Sequence, residues 1–382
     1  MKDILKGFIV LVCVMLLGCT AIAEGTEPDA TEFDVNTLYQ ALGLTYPELP
    51  ETPQIGQWYT VYPEGAICAD GSPWHGLIRL GSENKLMVFF YGGGVSLNGE
   101  TSRNTPEWFY FPTVALQDLV VQGGIFQAID ENSFKDWTIL AVEYASGDFH
   151  CGTGEYHYTD ENGDEQTVYH HGYTNYSLFM DMVKPYIGEP DTLVVTGSSA
   201  GGFATALLTD DVMRRVPSAT NVIACVDSAL LLYDDWQETA RELWQAPVEI
   251  CSKLTGDNIV LDSLVDLQSK HSDVKILFTC SVRDHDLQRY QAYIRDGSME
   301  SNPENSALFQ QDLNAFVIQM QKDLSNPGFY IWEYGQQPDG STQHMIWPSN
   351  PFDRLSDDVT AAEWLDRAVQ GEILSCGLDL LQ

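Results

Sequence analysis

Ser199 has the surroundings of a nucleophile. It sits in Leu193-Val194-Val195-Thr196-Gly197-Ser198-Ser199-Ala200-Gly201-Gly202-Phe203, followed by the Ala- and Leu-rich segment Ala204 to Leu208. A β-branched run, then Gly-x-Ser-x-Gly, then a helical pattern reads as a strand, a sharp turn and a buried helix. Such an elbow holds its serine in a strained backbone conformation, and small neighbours are needed where strand and helix meet. Gly197, Ala200, Gly201 and Gly202 meet that need. The helix start also aims free N–H groups at the site, where they can stabilise developing negative charge. The competing reading is a glycine-rich turn that merely binds a ligand, and the remaining machinery decides between the two.

Acyl transfer on this plan needs oxyanion donors early in the chain, then serine, acid and histidine in that order on loops at strand ends. Met87 to Tyr91 reads as a strand and runs directly into Gly92-Gly93-Gly94. The N–H groups of Gly93, Gly94 and Ala200 are the expected oxyanion donors. Three carboxylates follow later strands: Asp227 after Val222–Val226, and Asp284 and Asp286 after Val274–Cys280. Asp284 is assigned as the acid from its position alone. His344, the last histidine, lies beyond the final strand and is assigned as the base. His150, with Asp148, Tyr173 and Asn175, is a candidate for lining the substrate cleft, with a structural loop role as the alternative.

These residues need a scaffold. Apolar or aromatic runs predict eight strands: Trp58–Tyr62, Leu77–Leu80, Met87–Tyr91, Thr138–Tyr144, Leu193–Thr196, Val222–Val226, Val274–Cys280 and Phe329–Tyr334. The first two are close enough to pair antiparallel, and the later ones are far enough apart for crossover helices. Helices are predicted over Tyr176–Ile187, Ala200–Val212, Leu230–Leu243 and Pro303–Leu324. The last has Asn302 as N-cap, Pro303 in its first turn, and Leu313, Phe316, Val317, Met320 and Leu324 on one face. The capping box Thr360-x-x-Glu363 marks another. The fold class that fits is α/β, an α/β-hydrolase with an eight-stranded, mostly parallel sheet flanked by helices.

The 382 residues can bury a large core in one domain. Residues 1–23 read as an export signal, with Lys2 and Lys6 ahead of an apolar run from Phe8 to Leu17 that is too short to span a bilayer. Leu16-Leu17-Gly18-Cys19 resembles a lipoprotein box, whereas Ala21-Ile22-Ala23 fits ordinary cleavage; the first reading puts lipid on Cys19. Residues 24–45 then form an acidic tether and residues 46–382 the catalytic domain. Such a protein works outside the cytoplasm, and its membrane contact is expected only through that anchor.

The net charge of −36 argues against nucleic acid and against polyanionic partners. Six cysteines follow the signal segment. Cys225 and Cys280 fall in apolar runs and read as buried thiols, while Cys68, Cys151, Cys251 and Cys376 are the disulfide candidates, in a pairing left open. Neither cysteines nor histidines have metal-ligand spacing, so no catalytic metal and no cofactor is expected.

Several segments together resemble the pectin acetylesterase family, which includes the Notum carboxylesterases. They are Cys68-Ala69-Asp70-Gly71-Ser72-Pro73, the glycine loop from Tyr91 to Asn98, Gly147-Asp148-Phe149-His150-Cys151-Gly152, His171-Gly172-Tyr173-Thr174-Asn175, Gly197 to Gly202, Asp227-Ser228, Asp284 and His344. The resemblance implies an α/β hydrolase whose Ser199, Asp284 and His344 remove O-linked acyl groups from a polysaccharide or another acylated partner. Where the family tends to have Trp and Cys after the oxyanion glycines, this chain has Val95-Ser96, and Ser341-Thr342-Gln343 stands where a cysteine usually precedes the histidine. The function expected is deacetylation of a polysaccharide. Removal of longer acyl chains from lipid or protein, and a non-catalytic binding role on the same fold, are the alternatives.

Overall fold

The computed structural model describes residues 45–104, 108–114, 121 and 123–381. The expected signal segment 1–23 with Cys19, and residues 24–44 of the expected tether, lie outside the described residues. Tyr46–Gln382 forms one compact unit.

Along the chain the strands are β1 (Trp58–Val61), β2 (Gly76–Arg79), β3 (Lys85–Phe90), β4 (Thr138–Val142), β5 (Gly154–Thr159), β6 (Glu165–His170), β7 (Thr192–Ser198), β8 (Asn221–Asp227), β9 (Lys275–Ser281), β10 (Gly328–Trp332) and β11 (Ser375–Cys376). Nine of them make one sheet in the order β1-β2-β4-β3-β7-β8-β9-β10-β11. β1 pairs antiparallel with β2, and β2 with β4; every other neighbour is parallel. Parallel strands covered on both faces read as continuous apolar runs, and β4, β7 and β10 are buried at every residue. This is why all eight predicted strands are present.

The chain adds two features to that expectation. β11 is only two residues beside β10, too short to leave a pattern. The β5–β6 hairpin stands apart from the main sheet, and its alternating polar and aromatic residues, most of them only partly buried or exposed, carry no apolar run.

The helix Ala200–Arg215 leaves β7 directly and packs on β7, β8 and the helix Ile259–Lys270. Helix Pro303–Asp323 starts as its sequence predicts, with the Asn302 side chain accepting from Asn305 N at 2.9 Å. Leu313, Phe316, Val317 and Met320 are on its buried side. Thr360 caps helix Ala361–Val369 by accepting from Glu363 N at 3.0 Å. The predicted helix Leu230–Leu243 is a correction: only a helical turn, Trp236–Glu238, and the π-helical Thr239–Leu243 form. Upstream, the Gln291 amide bonds both the N–H and the C=O of Leu232, at 2.8 and 3.0 Å, which replaces the helical partners of that residue.

The disulfide expectation is also corrected. Cys68, Cys151, Cys225, Cys251, Cys280 and Cys376 are all free and all buried. The sulfurs of Cys68, Cys151 and Cys251 each donate to a carbonyl close in sequence, of Pro73, Phe149 and Ala246. Among the described residues no helix is long and apolar enough to cross a membrane.

Candidate active site

The turn that carries Ser199 folds as its small residues dictate. Ser199 follows the last residue of β7 and precedes the helix Ala200–Arg215, with φ 56° and ψ −124°. A side chain in the left-handed region costs about 1–3 kcal/mol and persists only where the surroundings hold it. Here Ser199 N donates to Asp227 O at 3.0 Å, and Ser199 O accepts from Gly202 N at 2.8 Å. A Cβ at Gly201 would collide with the Phe90 carbonyl, and one at Gly202 with the Asp227 carbonyl. β3, β8 and the elbow helix can converge on Ser199 only because those positions are glycine.

Asp284 and His344 form a pair. Asp284 is fully buried and caps helix His285–Asp296. Its Oδ1 accepts from Asp286 N and Leu287 N at 3.1 and 3.0 Å, which leaves Oδ2 to accept from His344 Nδ1 at 2.7 Å. The loops that carry the pair are joined edge to edge. Thr342 N donates to Arg283 O, His285 N donates to Thr342 O, and Thr342 Oγ1 donates to Ser281 Oγ at 2.9 Å. Burial presses the His344 pKa down, but the charge and hydrogen bond of Asp284, with Asp286 and Asp227 behind, outweigh it and raise it to about 9. Among the described residues no hydrogen bond joins Ser199 to His344, a link that often tightens only when substrate is bound.

Asp227, the rejected acid candidate, has a different place. It ends β8 fully buried, and its Oδ2 accepts from Ser198 Oγ at 2.7 Å and from Ile346 N at 3.0 Å. Its Oδ1 accepts from Ser228 Oγ at 2.9 Å, and Ser228 Oγ in turn accepts from Met345 N at 3.2 Å. Asp227 therefore ties the strand leading into Ser199 to the loop carrying His344. Burial raises its pKa to about 6 despite the hydrogen bonds from Ser198, Ile346 and Ser228.

The glycine turn after β3 lies against the elbow: a Cβ at Gly92 would fall 2.7 Å from that of Ser199. Gly94 has φ 82°, and a Cβ there would strike the Phe109 carbonyl. Val95 N donates to Phe109 O and Phe111 N to Gly93 O, which fixes the turn while no described residue takes the N–H of Gly93 or Gly94. Beside these donors is a narrow cleft lined by Val95, Phe149, Ser199, Phe203, Leu287 and Tyr290, with no more than about 200 Å³ of empty space, open solvent included. Phe149 and Phe203 are stacked at 4.1 Å with 3° between their planes, and Trp236 and Trp244 pack behind Phe149.

The four residues expected at the cleft do not line the one described above. Asp148 is fully buried and accepts from Ser146 Oγ, Gly152 N and Gly172 N. His150, also buried, has its Nε2 2.9 Å from Tyr91 O, and burial lowers its pKa to about 4. Asn175 bonds both backbone groups of Ile67, and Tyr173 donates to Asp211 at 3.2 Å. These side chains are committed to the frame under the site. A second serine–histidine pair, Ser102 Oγ and His170 Nε2 at 3.1 Å, is likewise buried and closed off by Ser96 and Ser146. The cleft walls were missed at the sequence level. Their one signal is Leu287 and Tyr290, spaced to share a helix face just after the acid.

Among the described residues no group of three His, Cys, Asp or Glu is arranged to hold a metal ion. The site joins a strained serine at a helix start, unconsumed N–H groups beside it and a carboxylate-oriented imidazole, which are the parts of nucleophilic acyl transfer.

Comparison with known proteins agrees with this chemistry. No curated protein sequence matches the chain. Among solved structures, that of the Wnt deacylase Notum from Drosophila superposes with a TM-score of 0.56 at 15% identity, covering 81% of this chain and 93% of that one. At that identity the likeness is one of fold, and the sheet described above is that of an α/β hydrolase. A model of the pectinacetylesterase family matches residues 59–282, which include the glycine turn and Ser199 and end two residues before Asp284. With more than half of its length matched, the chain belongs to the pectinacetylesterase family and is an ester-hydrolysing enzyme of the α/β-hydrolase fold.

Proposed function

We propose that this protein is an exported serine carboxylesterase that removes O-acetyl groups from a polysaccharide, with Ser199 as nucleophile, His344 as base and Asp284 as acid. The observation that carries the reading is the left-handed Ser199 set against the Gly92–Gly94 turn. His344 Nδ1 is engaged by Asp284, so Nε2 takes the proton from Ser199 Oγ as that oxygen attacks the ester carbonyl. The negative charge that develops on the carbonyl oxygen is held by the N–H groups of Gly93, Gly94 and Ala200. Collapse expels the sugar hydroxyl, which receives the proton from His344 Nε2. Water then attacks the acyl-serine with the same histidine as base, releasing acetate and restoring Ser199.

The small cleft supports a short acyl group. Its space lies below the roughly 300–1,000 Å³ typical of pockets for larger ligands, and the Phe149–Phe203 stack closes it. The charge of −36 favours a neutral polymer over a polyanionic one. In this reading residues 1–23 direct export, Cys19 carries lipid, and residues 24–45 tether the domain to the membrane.

The test is hydrolysis of p-nitrophenyl acetate, butyrate and palmitate by the mature protein beside Ser199→Ala, with acetylated xylan as the polymer. Acetate turnover that falls at least ~10³-fold in the variant is expected. Preference for palmitate would move the reading to deacylation of lipid or protein. Hydrolysis that is equally fast in wild type and variant would overturn Ser199 as the nucleophile.

A further inference from the structure

Tryptophan is rarely left facing water, since it carries the largest apolar surface of any side chain. The chain has nine. Eight are buried, and Trp108 alone is exposed, at 54%. Its position is as particular as its exposure. The Trp108 ring meets Phe111 edge to face, with centroids 6.2 Å apart. Phe111 in turn packs on Gly93, 2.8 Å from where a Cβ would stand, and donates its N–H to Gly93 O. The next residue, Phe109, accepts at its carbonyl from Val95 N and from the Tyr290 hydroxyl, both of which belong to the cleft. Trp108 is thus mounted on the segment that braces the oxyanion turn, with its ring turned out to solvent.

From this geometry we propose that Trp108 is the platform on which a pyranose ring of the acetylated polymer stacks, holding the sugar while its ester enters the cleft. A pyranose offers an apolar C–H face that fits an aromatic ring, and its hydroxyls stay in water. A neutral ring suits a chain of charge −36, and stacking requires no cationic partner. The cleft beneath is too small to give a long acyl chain the main share of binding, so affinity for a large substrate has to come from outside it. The inference rests on the esterase reading and adds to it the substrate class and a specificity-determining residue.

The same property supplies the test. With the other eight tryptophans buried, acrylamide quenching of indole fluorescence reports Trp108. In the Ser199→Ala protein, added acetylated xylan or acetylated glucomannan is expected to shield this fluorescence, and the shielding is expected to vanish in the Ser199→Ala/Trp108→Phe double variant. In catalysis, Trp108→Ala is expected to lower kcat/KM for the acetylated polymer about tenfold relative to p-nitrophenyl acetate, the loss of about 1.4 kcal/mol, carried by KM. Trp108→Phe should restore part of it. The platform is refuted if both substrates lose the same factor, or if neither polymer shields the indole. Failure of the esterase reading shows separately, as hydrolysis that survives Ser199→Ala.

Discussion

Replacing Asp227 separates a carboxylate that holds the base in place from one that takes part in the relay. Its Oδ2 accepts from Ser198 Oγ, Ile346 N and Trp347 N, and its Oδ1 from Ser228 Oγ. In Asp227→Ala the serine hydroxyls can turn to other acceptors, but the two backbone N–H groups are left buried and unpaired. At about 1–3 kcal/mol for each unmet donor, the variant should lose about 2–6 kcal/mol, a large part of the ~5–15 kcal/mol that holds a domain folded. The loop bearing His344 loses its anchor to the nucleophile strand, and a misplacement of about 1 Å at the base costs ~10²-fold in kcat. Asp227→Asn keeps an acceptor for Ile346 N and should lose about 1 kcal/mol. It also removes a charge that helps to raise the His344 pKa. His344 acts as a base only when neutral, so kcat/KM rises with pH through the His344 pKa near 9, where Asp227, with a pKa of about 6, is ionised. The midpoint of that rise should therefore move to lower pH in Asp227→Asn. Urea unfolding and the pH profile of kcat/KM for p-nitrophenyl acetate measure both effects. Equal losses in the two variants, or a midpoint that stays in place in Asp227→Asn, would refute the anchoring argument.

Two further outcomes can be measured. In Gly94→Ala the added methyl meets the Phe109 carbonyl at a left-handed φ of 82°, so the turn has to shift and one oxyanion donor moves away; kcat should fall about 10²–10³-fold with a smaller change in KM, by steady-state kinetics. Stability should fall as the pH rises above the ordinary histidine pKa of 6.5. His344, raised to about 9, binds its proton more tightly folded than unfolded, so its contribution is complete below 6.5 and is lost as the pH rises to 9. Below 6.5 His150, lowered to about 4, must stay neutral and costs stability, while Asp227, raised to about 6, takes up its proton more readily folded than unfolded and adds it, so the two largely offset. The alkaline loss amounts to about 3 kcal/mol at about 1.4 kcal/mol for every tenfold in proton affinity, and urea midpoints that stay level from pH 6.5 to 9 would refute it.

The parts of the fold written as uninterrupted patterns were legible in the sequence. The eight main strands are apolar because they are buried, and the elbow is marked by glycines because carbonyls of β3 and β8 press on it. Asp284 and His344 could be singled out because chain order limits where an acid and a base can stand, and the structure pairs the two at 2.7 Å. Illegible were the parts whose reasons lie far away in the chain. Asp148, His150 and Asn175 are polar residues in loops, and the sequence does not say whether their partners will be a substrate or distant backbone groups; Asn175 meets Ile67, 108 residues earlier. The Leu230 region has helical spacing, yet Gln291 takes its backbone bonds. The four cysteines read as lying in loops are buried like the two in strands: Cys376 ends β11, Cys251 ends the helical turn Val248–Cys251, and the loops of Cys68 and Cys151 are packed into the core.

Those buried thiols have a practical consequence. No covalent cross-link has to form for this chain to reach its native state, and burial keeps the Cys151, Cys225 and Cys280 thiols protonated far above their ordinary range, so they are poor at exchange. The catalytic domain should mature equally well in a reducing or an oxidising compartment, with no isomerase to sort partners. Made in the cytosol of a bacterial host as residues 46–382, it should give the same unfolding midpoint with or without dithiothreitol.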